Sequence, residues 1–249
     1  MFESAKLKVE RADHHIAELE SAFMRFVERN PYTLSFGKNH ATGSPAVRIR
    51  FGKELPETFA LIIGDSIHNL RTALDHMTWE LIGRDGGAQN RNLKFPTGSD
   101  RRSFEAACKG IKTPSQNVIA VLKATEAFPT GHGEPLYSLS RLDNADKHFA
   151  LTPVISAAKL SNFTISSPDG LLKTKWENCT FKRGSGALLD IRGLRQGERV
   201  ELDQDTQATP DIFFGKVEGA VDGEPVFPTL RQLRHATADT IDIVSRAIT

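Results

Sequence analysis

The sequence predicts an α+β protein: a helical bundle with an antiparallel β-sheet inserted into it. Three observations carry that prediction. Residues 3–29 and 59–81 repeat apolar side chains in steps of three and four, a rhythm that only a helix puts on one face. From Ala150 the chain breaks into short β-type runs separated by turn clusters. At about Thr229 the helical rhythm returns and runs to Ile248. The implied organisation is a helical part over 1–149 with a β-hairpin near 32–52, a sheet over 150–225, and a C-terminal helix at 226–249 packing back on the bundle.

In the first helix, Val9, Ala12, Ile16, Leu19, Phe23 and Phe26 alternate strictly by three and four, with Lys, Arg and Glu between them. Asn30-Pro31 ends it, because the residue before proline avoids helical geometry. His14 and His15 are neighbours and point in different directions, which predicts a solvated pair rather than a ligand set. Leu34 and Phe36, then Val47, Ile49 and Phe51, alternate on either side of a turn at 39–44 and predict the hairpin.

The central helix carries Phe59, Ile63, Ile67, Leu70, Leu74, Met77 and Leu81 on one stripe. Pro56 suits its first turn, and Gly83 with Asp85-Gly86-Gly87 supplies the stop. Its other side holds Asp65, His68, Thr72, Asp75 and Trp79 in the same rhythm. An ordinary solvent face would carry Lys and Glu, so this one reads as the wall of a crevice.

An Arg-rich loop over 84–102 follows, then short helices over 101–109 and 115–127, with His132 in a glycine-flanked loop. Residues 134–149 read as a helix with Leu136, Leu139 and Leu142 inward, ending in Asp-Asn-Ala-Asp-Lys-His at 143–148. The β-type runs are 151–155, 163–166, 172–181, 187–191, 199–202 and 212–217, a meander with turn clusters at 167–170 and 183–186. The final helix places Leu230, Leu233, Ile241, Val244 and Ile248 on one side.

The chain has 249 residues, 39% hydrophobic and 25% charged, as in ordinary globular proteins. A net charge of +1 provides no large field for steering polyanions or membranes, although a local basic groove remains open. Two cysteines far apart, Cys108 and Cys179, form no metal-type pair. With no long apolar run and no signal-type start, the expectation is a cytoplasmic protein that does not engage a membrane.

Arg71-Thr-Ala-Leu-Asp-His76 is an arginine and a histidine separated by four residues on the central helix. This resembles the R-x4-6-H signature of the HEPN ribonuclease superfamily. The resemblance implies metal-independent RNA cleavage with no cofactor, in a homodimer that brings two motifs together. In that reading Arg71 binds the scissile phosphate and His76 is general acid or base, with His68 and Asp75 in support. Histidine titrates near working pH, and arginine presents a planar fork to phosphate, so the residue types suit the chemistry. This chain has Thr72 where the family usually has Asn, Asp or His. Arg71 and His76 also stand roughly 140° apart around a helix, so they converge only at a partner surface. A longer string, H-N-L-R-x-x-L-D-H with a later D-K-H, is similar to a group of uncharacterised bacterial proteins and adds no activity.

Three other readings use the same residues. In a non-enzymatic interaction protein, Arg71 and Asp75 are an i, i+4 ion pair and Asp146 holds His68 or His76 across two packed helices. In a metal-binding bundle hydrolase, Asp65, His68, His76, Asp143, Asp146 and His148 supply the shell. Gly64-Asp65-Ser66 is similar to the tripeptide of GDSL-type esterases, which needs a strand before the serine, whereas the helical stripe here continues through it.

Overall fold

The structure, a computed structural model, describes the chain except for residues 31, 39–44, 149–150, 152, 168, 170–172, 177–178, 181–187, 191–197, 216–222 and 249. The hairpin turn at 39–44 and the turn cluster at 183–186 therefore lie outside the described residues. The elements in chain order are α1 (Glu3–Arg29), β1 (Tyr32–Lys38), β2 (Pro45–Phe51), α2 (Thr58–Arg84), α3 (Arg101–Gly110), α4 (Gln116–Lys123), α5 (Glu134–His148), β3 (Pro153–Ser166), β4 (Lys173–Trp176), β5 (Cys179–Thr180), β6 (Leu188–Asp190), β7 (Arg199–Phe214) and α6 (Val226–Ala247). This is an α+β fold, with helices and, among the described residues, two antiparallel sheets.

The chain forms two compact units. The first comprises 1–21, 57–152 and 216–249; the second comprises 22–56 and 153–215. The helix α1 passes from one into the other. The hairpin strands β1 and β2 cluster with the sheet residues of the second unit.

In the first unit, α2 packs against both α5 and α6. Its stripe of Ile63, Ile67, Leu70, Leu74 and Met77 is wholly removed from solvent. Each such side chain contributes about 1.5–3 kcal/mol by leaving water. Residues 3–20 of α1 are tied to α6 by ion pairs, Arg234 holding both oxygens of Asp13 and Arg231 pairing with Glu20. The loop after α2 is anchored by Asp85, whose carboxylate accepts from Thr113 and from the backbone N–H of Ser115. The helix α3 begins in a reciprocal cap between Asp100 and Ser103.

Boundaries differ from the sequence reading where backbone irregularities intervene. Residues 153–155 and 163–166 belong to one strand, β3, and 199–202 and 212–214 to its partner β7, while residues 152 and 216–217 of those runs lie outside the described residues. Their pairing slips between Ala157 and Lys159 and again between Ser161 and Phe163. At the second slip Asn162 adopts φ 58°, and its carbonyl accepts from the Thr206 hydroxyl. Bulges of this kind break the period-two pattern while the strand continues. The helix expected over 115–127 stops at Lys123, before Glu126 takes a positive φ of 43°. The C-terminal helix starts at Val226, with Pro228 in its first turn.

In the second unit, β2 joins β1 to β6, and β3 pairs with β4, β5 and β7. Tyr32 stacks obliquely on Phe51, which also meets Phe26. The Tyr32 hydroxyl accepts from the N–H of Ala208 and donates to its carbonyl, joining β1 to β7.

Candidate functional site

The polar side of α2 divides into two networks on either side of Asp75. Arg71 is buried. Its Nη1 donates to Asp75 Oδ1 at 2.6 Å, and its Nη2 donates to the Phe95 carbonyl at 3.1 Å. Asp75 Oδ1 also accepts the Phe95 N–H at 2.8 Å. The guanidinium lies 6.0 Å from the centre of the Phe95 ring. One arginine, one carboxylate and the backbone N–H and C=O of Phe95 thus close a cycle that pins the loop after α2 onto the helix.

The second network joins α2 to α5. His68 Nδ1 lies 2.9 Å from Asp143 Oδ1, and the other Asp143 oxygen accepts from Lys147. The carboxylate is nearly sealed, whereas the imidazole is about half exposed, with Nε2 3.5 Å from the Thr72 hydroxyl. A charged acceptor at Nδ1 holds the N–H there and leaves Nε2 outward. The residue that holds His68 is Asp143, not Asp146.

Asp146 does something else. Its carboxylate lies over Gly64, where a β-carbon would meet it at 2.5 Å. The close crossing of α2 and α5 explains a glycine inside a helix. Burial raises the Asp146 pKa above the ordinary carboxylate value, and the Asp143 and Asp65 charges raise it further; His68 acts in the opposite direction.

His76 faces the other way, its Nδ1 2.7 Å from the Ser4 hydroxyl of α1. Arg71 and His76 open on different cavities. The first, about 640 Å³, is lined by Arg71, Asp75, Lys94, Lys112, Ser140 and Lys147 among others. The second, about 760 Å³, includes His76, Trp79, Arg84 and Arg91. Asp75 and Leu93 belong to the walls of both.

Of the six residues of the metal reading, Asp65, His68, Asp143 and Asp146 gather where α2 meets α5. His76 lies on the Ser4 side, and His148 is exposed at the end of α5. Among the described residues, no three His, Cys, Asp or Glu side chains are placed to hold one ion. The serine of the Gly64-Asp65-Ser66 tripeptide is buried in mid-helix, its hydroxyl donating to the Ile62 carbonyl at 2.8 Å. The helix runs from Thr58 through the tripeptide, so the serine does not follow directly on a strand as the esterase arrangement needs. His15, expected in solvent beside His14, is buried, with Glu18 3.6 Å from its Nδ1.

Sequence reasoning missed Phe95, whose role rests on its backbone, and Ser140. Ser140, Asn144 and Lys147 recur by four and three along α5, the spacing that puts them on one face. That rhythm was the available signal. The chain matches no family model, no curated protein and no solved structure.

Proposed function

We propose that the protein is a metal-independent endoribonuclease of HEPN type, acting in the cytoplasm as a homodimer, with RNA as its substrate. The observation that carries this reading is the shared wall: Asp75 and Leu93 border both the cavity that holds Arg71 and the cavity that holds His76. A polynucleotide lying across that wall meets a guanidinium on one side and an imidazole on the other. Arg71 holds the scissile phosphate and stabilises the charge that grows on its oxygens. His76 of one protomer takes the proton of the 2′-hydroxyl as its oxygen attacks phosphorus. The second copy's imidazole protonates the departing 5′-oxygen, leaving a 2′,3′-cyclic phosphate and a 5′-hydroxyl. Asp75 orients Arg71, and His68 supports the site from the α5 side. No helix among the described residues is long and apolar enough to cross a membrane.

The test is cleavage of a single-stranded RNA in excess chelator. Turnover that persists with chelator and disappears in His76→Ala, at an unchanged melting temperature, supports the reading. A second reading is favoured by Arg71 itself, which is buried and bonded to Asp75 and Phe95: a non-enzymatic interaction protein whose polar helix face is structural. That reading stands if no RNA is cleaved and Arg71 variants change only stability.

A further inference from the structure

We infer that the cavity beside Arg71 is a binding site for a phosphate monoester. Four cations line it, Arg71, Lys94, Lys112 and Lys147, against two carboxylates, Asp75 and Asp143. Both carboxylates are already committed. Asp75 is bonded to Arg71 and to the Phe95 N–H, and Asp143 to His68 and Lys147. Lys94 and Lys112 have no acidic partner among the described residues. The cavity therefore carries two uncompensated positive charges at its exposed rim, above a buried guanidinium that has donors to spare.

Ser140 supplies the independent sign. It is only 7% exposed and lines the cavity, and among the described residues its hydroxyl has no hydrogen-bond partner. A helical serine ordinarily bonds the carbonyl four residues back, as Ser66 does in this chain. A buried hydroxyl left unbonded carries a desolvation penalty that a ligand oxygen relieves. A phosphate monoester brings close to two negative charges and three acceptor oxygens, matching two free lysines, spare guanidinium N–H groups and one hydroxyl. The side-chain amides of Asn90, Asn92 and Asn144 line the same space and offer both donors and acceptors to the rest of a polar ligand. The volume suits a molecule the size of a mononucleotide. The chemistry is shared by a free mononucleotide and by the phosphorylated end of an RNA. The assignment shares Arg71 with the proposed cleavage site but needs neither His76 nor its cavity, so the two can fail separately.

The test is calorimetric titration of the full chain with adenosine 5′-monophosphate, adenosine, inorganic phosphate and a 5′-phosphorylated oligoribonucleotide. Adenosine monophosphate and inorganic phosphate should bind, more weakly as salt rises, and adenosine should not. Lys94→Gln with Lys112→Gln should weaken binding by about tenfold or more, and Ser140→Ala by a smaller factor. Both lysines are on the surface, so that pair of changes leaves the fold intact, which thermal melting checks. His76→Ala should abolish cleavage yet bind adenosine monophosphate as the parent does, separating failure of one proposal from failure of the other. Tighter binding of the mononucleotide marks a free small ligand; tighter binding of the oligonucleotide marks an RNA end. Absence of phosphate-dependent binding up to about 10 mM, or binding unchanged in the double lysine variant, overturns the assignment.

Discussion

Gly64 of α2 lies directly beneath the carboxylate of Asp146 of α5, with Oδ1, Oδ2 and Cγ all within 2.7 Å of where a β-carbon would stand. The contact is between the two segments that carry the polar strings of the sequence, and it sets how near those strings approach. In an unconstrained helix, glycine to alanine is worth about 1 kcal/mol in alanine's favour. Here the added methyl must displace Asp146. Gly64→Ala alone should lower the melting temperature, whereas in an Asp146→Ala background the same change should raise it. A double-mutant cycle by thermal melting should thus show coupling of about 1 kcal/mol or more between the positions. Additive effects would remove the close crossing as the reason for the glycine.

The charge of Asp146 has its own pH signature. Its pKa is raised in the folded state above the ordinary 3.8, first by burial and then by Asp143 and Asp65. A carboxyl raised in this way contributes stability that is fully present below its unfolded pKa and is lost as pH rises through the folded value. Asp146→Asn should therefore melt about 1–2 °C above the parent at pH 7, a figure reduced for partial solvent screening. The advantage should fade as pH is lowered towards 3.8. An advantage independent of pH would assign the effect to something other than ionisation.

Arg71 cannot be exchanged for lysine without loss. Its two terminal nitrogens serve different acceptors, the Asp75 carboxylate and the Phe95 carbonyl. An ammonium keeps the charge but lacks the fork. Arg71→Lys should lower stability by about 1–2 kcal/mol, and Arg71→Ala by about 2–4 kcal/mol because Asp75 loses its partner. Limited proteolysis in the loop at 88–97 should accelerate in both variants. Unchanged protection of that loop would mean the cycle does not hold it.

Cys108 is buried on α3, and burial pushes its thiol pKa up to about 11. At neutral pH such a sulfur is a small apolar group rather than a nucleophile. Mass spectrometry after brief alkylation at pH 8 should find Cys108 unmodified in the native protein and modified once denaturant is added. Rapid native labelling would contradict the packing of α3.

Much of the helical part was legible because burial imposes a period on the residues themselves. The stripe from Phe59 to Leu81 and that from Val9 to Phe26 are both buried as their spacing predicts. The meander was harder to read. Bulges at Ala158 and Asn162 interrupt the alternation of one long strand, so β3 and β7 each look like two short ones. The site was legible in residue type and in one partnership, the i, i+4 pair of Arg71 with Asp75, and not in the others. His68, Arg71, Asp75 and Asp143 stand out as polar residues in helices, yet the partner of His68 is Asp143 and that of Arg71 is partly a peptide group. Backbone acceptors leave no mark in a sequence.

By itself, the sequence determined where helices run and which face of each is apolar, since those follow from local spacing and from the solvent cost of exposed hydrocarbon. Only the tertiary structure decided that Ser140, Lys94 and Lys112 share a cavity with Arg71 while His76 opens on its neighbour. Contacts across 20 to 75 positions, such as Asp75 with Phe95 and His68 with Asp143, depend on how helices and loops close on one another. No periodicity encodes that closure. It follows from packing, in which a missing β-carbon at Gly64 lets two helices approach until their polar groups meet.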